Sequence, residues 1–355
     1  MESTLNQPLT IEAFLTLGRQ HPIIDVRTPA EFEKGHIPGA VNVPLFSNEE
    51  RHDIGLTYKQ IGREQAVLLG VEAAGPKMRT LVEQLQAAAL GHTALIHCWR
   101  GGMRSQSMAW LVGLFGYRTY TLERGYKAFR HYVLAQFKSP RPIIILSGKT
   151  GSGKTEILRQ LAKCGEQVLD LEGLAHHKGS AFGALGEATQ PTQQQFENEL
   201  AMLWAKLEPQ RPVWLEDESR RIGRLAIPEA LWSQMRAAPV ICLDLPLERR
   251  VDYLIAEYGR FHPADLRQAI LCLTKRLGPQ HTQQALEALA QNDLSACCRL
   301  LLQRYYDQTY AYGLSQRQPT SVLHLVIDSI EPVKNAGKVL AAAAQGQLVF
   351  GVSKT

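Results

Sequence analysis

The chain has no apolar run of the roughly 18 residues that a membrane-spanning helix needs, and no apolar stretch behind basic residues near Met1 of the kind that directs export. A cytoplasmic protein without a membrane role is therefore expected. Its six cysteines, Cys98, Cys164, Cys242, Cys272, Cys297 and Cys298, show no C-x-x-C pair and no Cys/His spacing suited to zinc. Reduced thiols are expected, and no metal is firmly assigned. Dense basic tracts are also missing. A net charge of +5 suits a polyanionic partner such as RNA without requiring one. There is no internal repeat, and the run Ala341 to Ala344 reads as helix, not as low-complexity linker.

What is present is length and alternation. A chain of 355 residues exceeds the usual single domain. Up to about residue 137, short apolar runs at Ile23 to Val26, Ala40 to Val43, Ala94 to His97 and Thr119 to Leu122 alternate with helical stretches near Ile11 to Gly18, Met78 to Ala89 and Ser105 to Phe115. The segment 138–142, with two prolines and two basic residues, reads as a linker. The pattern restarts in 143–355, with candidate buried strands at Ile143 to Leu146, Gln167 to Leu171, Pro212 to Leu215, Val240 to Leu245 and Val322 to Ile327. Apolar strands alternating with helices imply an α/β fold with a parallel sheet covered on both faces. A helical insertion is expected at about 263–312.

The stretch "LIHCWRGGMRSQS" places Cys98 after an apolar run and before a helix. Free N–H groups at a helix start and the helix dipole favour anions, which includes a thiolate. Arg100, Gly101, Gly102, Met103, Arg104 and Ser105 form the expected anion loop, with Arg104 able to pair with the thiolate or a bound oxyanion. The stretches Ile23 to Leu45 and Leu122 to Arg130 resemble the rhodanese domain, whose cysteine loop moves sulfur. The Cys98-to-Arg104 spacing, C-x5-R, departs from ordinary sulfur-transferring rhodaneses and is similar to tyrosine phosphatases, leaving room for a phosphate-sized anion. Asp25, Arg27, Glu31 and His36 belong to this resemblance. The first two are expected to brace the fold and His36 to serve a turn, and all four stay outside the site.

A second cradle, "GKTGSGKT", fits G-x-x-x-x-G-K-[ST] and lies between an apolar strand and a helix. Gly148, Gly151, Ser152, Gly153, Lys154 and Thr155 are the expected diphosphate-binding residues, with Thr155 also able to hold Mg²⁺. The motif establishes a diphosphate site only and does not by itself establish ATP. Two further stretches follow candidate strands at the end where ligands bind. Asp170, Glu172, Lys178 and Ser180 come from the first, and Glu216, Asp217, Ser219 and Arg220 from the second, as candidate substrate or Mg²⁺ residues. His176 and His177 are adjacent and lack a third ligand, so a metal there is not expected. Arg249 and Arg250 are read equally as phosphate contacts or surface ion pairs. Tyr305 and Tyr306 read as part of a core stripe.

Together, the "CWRGGMRS" loop, "GKTGSGKT", "DLEGLAHHKGSAFG" and "EDESRRIG" resemble the tRNA 2-selenouridine synthase family over essentially the whole chain. The resemblance implies a rhodanese-like domain followed by a P-loop domain. It implies a transferase acting on tRNA with 2-thiouridine at the wobble position. Geranyl diphosphate would alkylate the sulfur, and selenium from selenophosphate would replace the S-geranyl group. Cys98 would be the nucleophile, with selenium carriage one role open to it. No tightly bound cofactor is implied, and Mg²⁺ is a candidate. Three other readings stand: a phosphatase, since "HCWRGGMRS" also fits H-C-x5-R-S; an ATP-dependent kinase fused to a sulfurtransferase; and a non-catalytic RNA-binding regulator.

Overall fold

The computed structural model describes residues 6–317 and 322–344; the outer ends of the two expected domains, 1–5 and 345–355, lie outside these. It separates into two compact units, Met1–Gln136 with Glu197–Met202, and Phe137–Phe196 with Leu203–Thr355. The second unit thus begins at Phe137, one residue before the expected linker. The grouping of Glu197–Met202 with the first unit had no sequence signal.

The first unit is built on five strands: β1 (Gln7–Leu9), β2 (Ile23–Asp25), β3 (Val41–Asn42), β4 (Thr93–His97) and β5 (Arg118–Leu122). Their order is β1-β5-β4-β2-β3, and each pairing is parallel. Ile24 lies opposite Ile96 on one side and Val41 on the other. The central strands are short and apolar because both faces are covered, with Ile24, Ile96, Leu85, Met108 and Val112 buried in one core. Helices Asn48–Gln60 and Arg63–Ala74 fill a region the sequence reading left blank. Their apolar residues do not recur on one face, so periodicity could not show them. The capping box Ser47/Glu50, which accepts in both directions at the first of them, was the legible signal. Strand β1 is Gln7-Pro8-Leu9, whose proline and lack of an apolar run gave no strand signal.

The second unit contains β6 (Ile143–Gly148), β7 (Gln167–Val168), β8 (Val213–Glu216), β9 (Arg221–Ile222), β10 (Leu225–Ala226), β11 (Val240–Asp244) and β12 (Val322–Val326). The main sheet runs β12-β11-β6-β8-β7, all parallel, while β9 and β10 form a small antiparallel pair that was not anticipated. Ile144, Leu146, Ile157, Leu161, Trp214, Ile241 and Val339 fill its core. Strand β7 stops three residues short of the expected Leu171 because Asp170 turns out to cap the helix Leu171–Ala175. Residues 263–315 are helical, with a core of their own around Ile270, Leu277, Ala285, Cys297 and Leu301. One turn of this stretch, Leu302–Tyr306, is π-helical. Among the described residues no helix is long and apolar enough to cross a membrane.

Candidate functional site

In the first unit, β4 delivers Cys98 to a loop that ends at Gly102, the N-cap of the helix Met103–Gly113. The helix begins two residues earlier than expected, so the N–H groups of Met103, Arg104 and Ser105 belong to its open first turn. Cys98 is buried, with Sγ 3.3 Å from Ser105 Oγ, and Ser105 Oγ donates to Gly102 O at 3.0 Å. The loop is held from outside by the start of the helix Gly125–Gln136. Tyr126 N donates to Cys98 O (2.8 Å) and Lys127 N to Trp99 O (3.1 Å). Gly125 is required there: its φ is 57°, and a Cβ would lie 2.3 Å from Cys98 O.

Arg104 is held by a carboxylate that sequence reasoning set aside. Its guanidinium contacts Glu31 at 2.7 and 3.3 Å. Glu31 also closes the capping box with Thr28 at the helix Pro29–Lys34, and the T-x-x-E pattern was the available signal. Burial opposes the Glu31 charge, but the Arg104 hydrogen bond and charge hold its carboxyl below the usual range. Behind the loop, Asp25 and Arg27 form a fully buried ion pair, with the Arg27 guanidinium 3.7 Å from the centre of the Tyr126 ring. His97, the last residue of β4, is wholly buried with Nε2 3.7 Å from Asp25, and burial lowers its pKa. Cys98, Arg100, Gly102, Met103 and Arg104 open onto a groove of about 1430 Å³ in this unit, and Arg100 and Met103 are exposed.

In the second unit, β6 ends at Gly148 and the helix Lys154–Lys163 starts six residues later, with Gly153 in left-handed conformation as its N-cap. Ser152 is buried, and its hydroxyl has no hydrogen-bond partner among the described residues. A phosphate oxygen in the cradle would supply one. Lys154 Nζ lies 3.4 Å from Glu216 and donates to Gly148 O at 3.1 Å, while Thr155 Oγ1 donates to Glu216 at 3.1 Å.

Three carboxyls converge here. One oxygen each from Glu172, Glu216 and Glu218 lies within 4.8 Å of the others. Glu218 was not among the expected site residues: it lies past the end of β8, where its N–H donates to Glu216 O at 2.9 Å, so the chain turns tightly between the two carboxyls and no strand pattern marks it. Asp217 lies away from the cluster, accepting from Ser147 at 2.5 Å and Arg317 at 2.6 Å. Burial, reinforced by Glu216 and Glu218, raises the Glu172 pKa to about 10; burial and Glu216 raise Glu218 to about 8. Burial also raises Glu216. Burial works against the Lys154 ammonium, but Glu216, Glu172 and Glu218 outweigh it and raise its pKa. Gly179, at φ 60°, packs against this cluster, where a Cβ would stand 2.6 Å from Glu218.

The other expected residues border the same cleft, about 1390 Å³ in volume. Asp170 is exposed and N-caps its helix through Gly173 N (2.7 Å). Lys178 pairs with Glu257 at 2.7 Å and Glu187 at 3.7 Å. Ser180 accepts from Phe182 N, Ser219 is exposed, and Arg220 pairs with Glu229. Arg250 is buried: it binds Asp307 through two 2.8 Å bonds and donates to Thr150 O at 3.3 Å, tying the phosphate loop to the helix Asp307–Ser315.

The profile described as the rhodanese-like domain matches residues 11–132, and that of the tRNA 2-selenouridine synthase AAA domain matches 141–335. Among similar curated proteins, the tRNA 2-selenouridine synthase of Shewanella woodyi is 39% identical, over 84% of this chain and 89% of its own. That of Shewanella loihica is 39% identical over 85% and 89%, and that of Bdellovibrio bacteriovorus 37% over 84% and 90%. With both halves matched and relatives aligned over most of both lengths, this chain belongs to the tRNA 2-selenouridine synthase family.

Proposed function

We propose that the chain converts wobble 2-thiouridine of tRNA into 2-selenouridine in two steps, with the phosphate-loop site transferring a geranyl group and the Cys98 site handling selenium. The observation that carries this reading is the presence of two separate anion cradles, one beside a buried thiol and one beside a carboxyl cluster. In the first step a C–S bond forms between the thiouridine sulfur and the geranyl carbon, the carbon–oxygen bond to diphosphate breaks, and the N3 proton of the base passes to solvent. Lys154 and the N–H groups at the start of its helix face the charge that develops on the departing diphosphate. Glu172, Glu216, Glu218 and the Thr155 hydroxyl form a hard oxygen set that fits Mg²⁺, which would neutralise diphosphate charge when bound.

Alkylation turns a poor leaving group into a thiol attached to an electrophilic carbon. Selenium in selenophosphate is at the selenide level, so an S–Se bond at Cys98 would need an oxidant. Attack of the Cys98 thiolate on phosphorus needs none: an S–P bond forms, the P–Se bond breaks and hydroselenide leaves. Hydroselenide then adds at C2 of the base, the C–S bond breaks and geranylthiol departs with the proton. Water releases phosphate from Cys98. Arg104, the loop N–H groups and Ser105 hold the phosphoryl oxygens and the sulfur.

The test is to incubate the protein with 2-thiouridine tRNA and either geranyl diphosphate or ATP, then to weigh the wobble nucleoside after digestion. A geranyl mass gain with geranyl diphosphate alone, followed by exchange to selenium when selenophosphate is added, is expected. An unchanged nucleoside with ATP consumed would transfer the assignment to a kinase.

A further inference from the structure

Beside the phosphate loop, the helical part of the second unit contains a narrow slot of about 70 Å³ walled almost entirely by carbon. Thr150, Ser180, Leu254, Tyr258 and Tyr306 line both this slot and the phosphate-loop cleft, so the two adjoin. Its farther wall is Ile270, Leu289, Leu294, Cys297 and Cys298, on three helices. Protein interiors normally pack to crystal density, and a space several times the roughly 10–15 Å³ a water needs, with so few polar partners, is poorly suited to water. The π-helical turn Leu302–Tyr306 begins and ends on slot residues, and such turns are frequent where helices are shaped around a ligand. An anion cradle at one end and a thin carbon-lined channel leading from it describe one class of ligand: a diphosphate with a short, unfunctionalised hydrocarbon tail.

We infer that this slot holds the tail of the prenyl diphosphate whose head lies on Gly148–Thr155, and that Leu294 and its neighbours set the tail length accepted. The inference rests on the prenyl-transfer reading and adds where the chain lies and what limits it. Half-buried Cys298 is a reporter that needs no substitution. In the full-length protein, its alkylation by a small maleimide, located by peptide mass, is expected to slow about tenfold with geranyl diphosphate but not with inorganic pyrophosphate. Equal rates with the two would overturn the slot.

The second arm is Leu294→Trp, which narrows the channel. It should lower kcat/KM for geranyl diphosphate about 100-fold while changing that for the five-carbon dimethylallyl diphosphate only a few-fold, since lost hydrocarbon contacts of this size are worth about 10–200-fold per methylene. An equal fall for both donors would overturn the proposal. The two readings fail separately. Protection of Cys298 by geranyl diphosphate in a protein that transfers no prenyl group would sink prenyl transfer and keep the slot; transfer without protection or length selectivity would do the reverse.

Discussion

Around Cys98 the buried charges have partners of opposite sign, Asp25 with Arg27 and Glu31 with Arg104. Around Lys154 three carboxyls face one ammonium, and burial keeps their pKa values high. Both loops have the same plan, a parallel strand, a glycine turn and an open helix start, yet their electrostatics differ. The first is electrically settled and offers its donors to an anion directly. The second has an excess of acid that a cation would have to offset before a diphosphate, as proposed, could lie beside it.

The sharpest way to separate the two is to remove one reacting group from each. Cys98→Ser should reduce selenation about 1000-fold or more while geranylation of the same tRNA continues, because a serine hydroxyl is a far weaker nucleophile. Lys154→Ala should reduce geranylation about 100-fold or more and leave conversion of pre-geranylated tRNA intact. Nucleoside mass after each half-reaction reads both; parallel loss of both activities would mean that the sites are not separate.

Next in size is the backbone support of the settled loop. Gly125→Ala should destabilise the first unit by about 3 kcal/mol, since it adds left-handed strain to a 2.3 Å clash. The same change at Gly75, whose φ is not positive and whose Cβ would meet nothing within 4 Å, should have little effect in denaturant unfolding. Matching losses at the two positions would remove Gly125 from its assigned role.

The smallest effect concerns the acid excess. The unfolded chain releases the Glu172 and Glu218 protons near 4.5, whereas the fold retains them to about 10 and about 8. The folded state therefore holds more protons between those values, and the cation-free protein should lose stability as pH rises from about 4.5 through 8. Added Mg²⁺ should raise Tm more at pH 9 than at pH 6, and Glu218→Gln should flatten the decline. A Tm that climbs over this range without cation would contradict the carboxyl cluster.

Much of this contrast was legible in the sequence. The glycine turns, Cys98 and Lys154 were placed by motif, and the buried parallel strands by their apolar runs. Glu31 and Glu218 were lost for different reasons. Glu31 was placed within the rhodanese resemblance but left outside the site, because its partner Arg104 lies 73 residues away, which no local pattern reveals. Glu218 follows the last residue of its strand across a tight turn, so no alternation marked it, whereas Asp217 drew attention by its type and is tied to Arg317, 100 residues distant. The helices around Asn48–Ala74 lacked the one-sided apolar pattern that makes a helix visible.

The contact between Arg104 and Glu31 has a kinetic side. A free arginine carries about 2 kcal/mol of rotamer entropy that a ligand must suppress in order to use it. Here Glu31 already holds the fork in place, so in the proposed reaction the remaining guanidinium N–H groups would meet an arriving phosphoryl group. In the proposed reaction, binding would then require little side-chain rearrangement, and phosphate could leave without a large barrier once water has cleaved it from Cys98. Tight clamping of the leftover phosphate would slow every turnover, and an arginine shared with a resident carboxylate grips it less firmly.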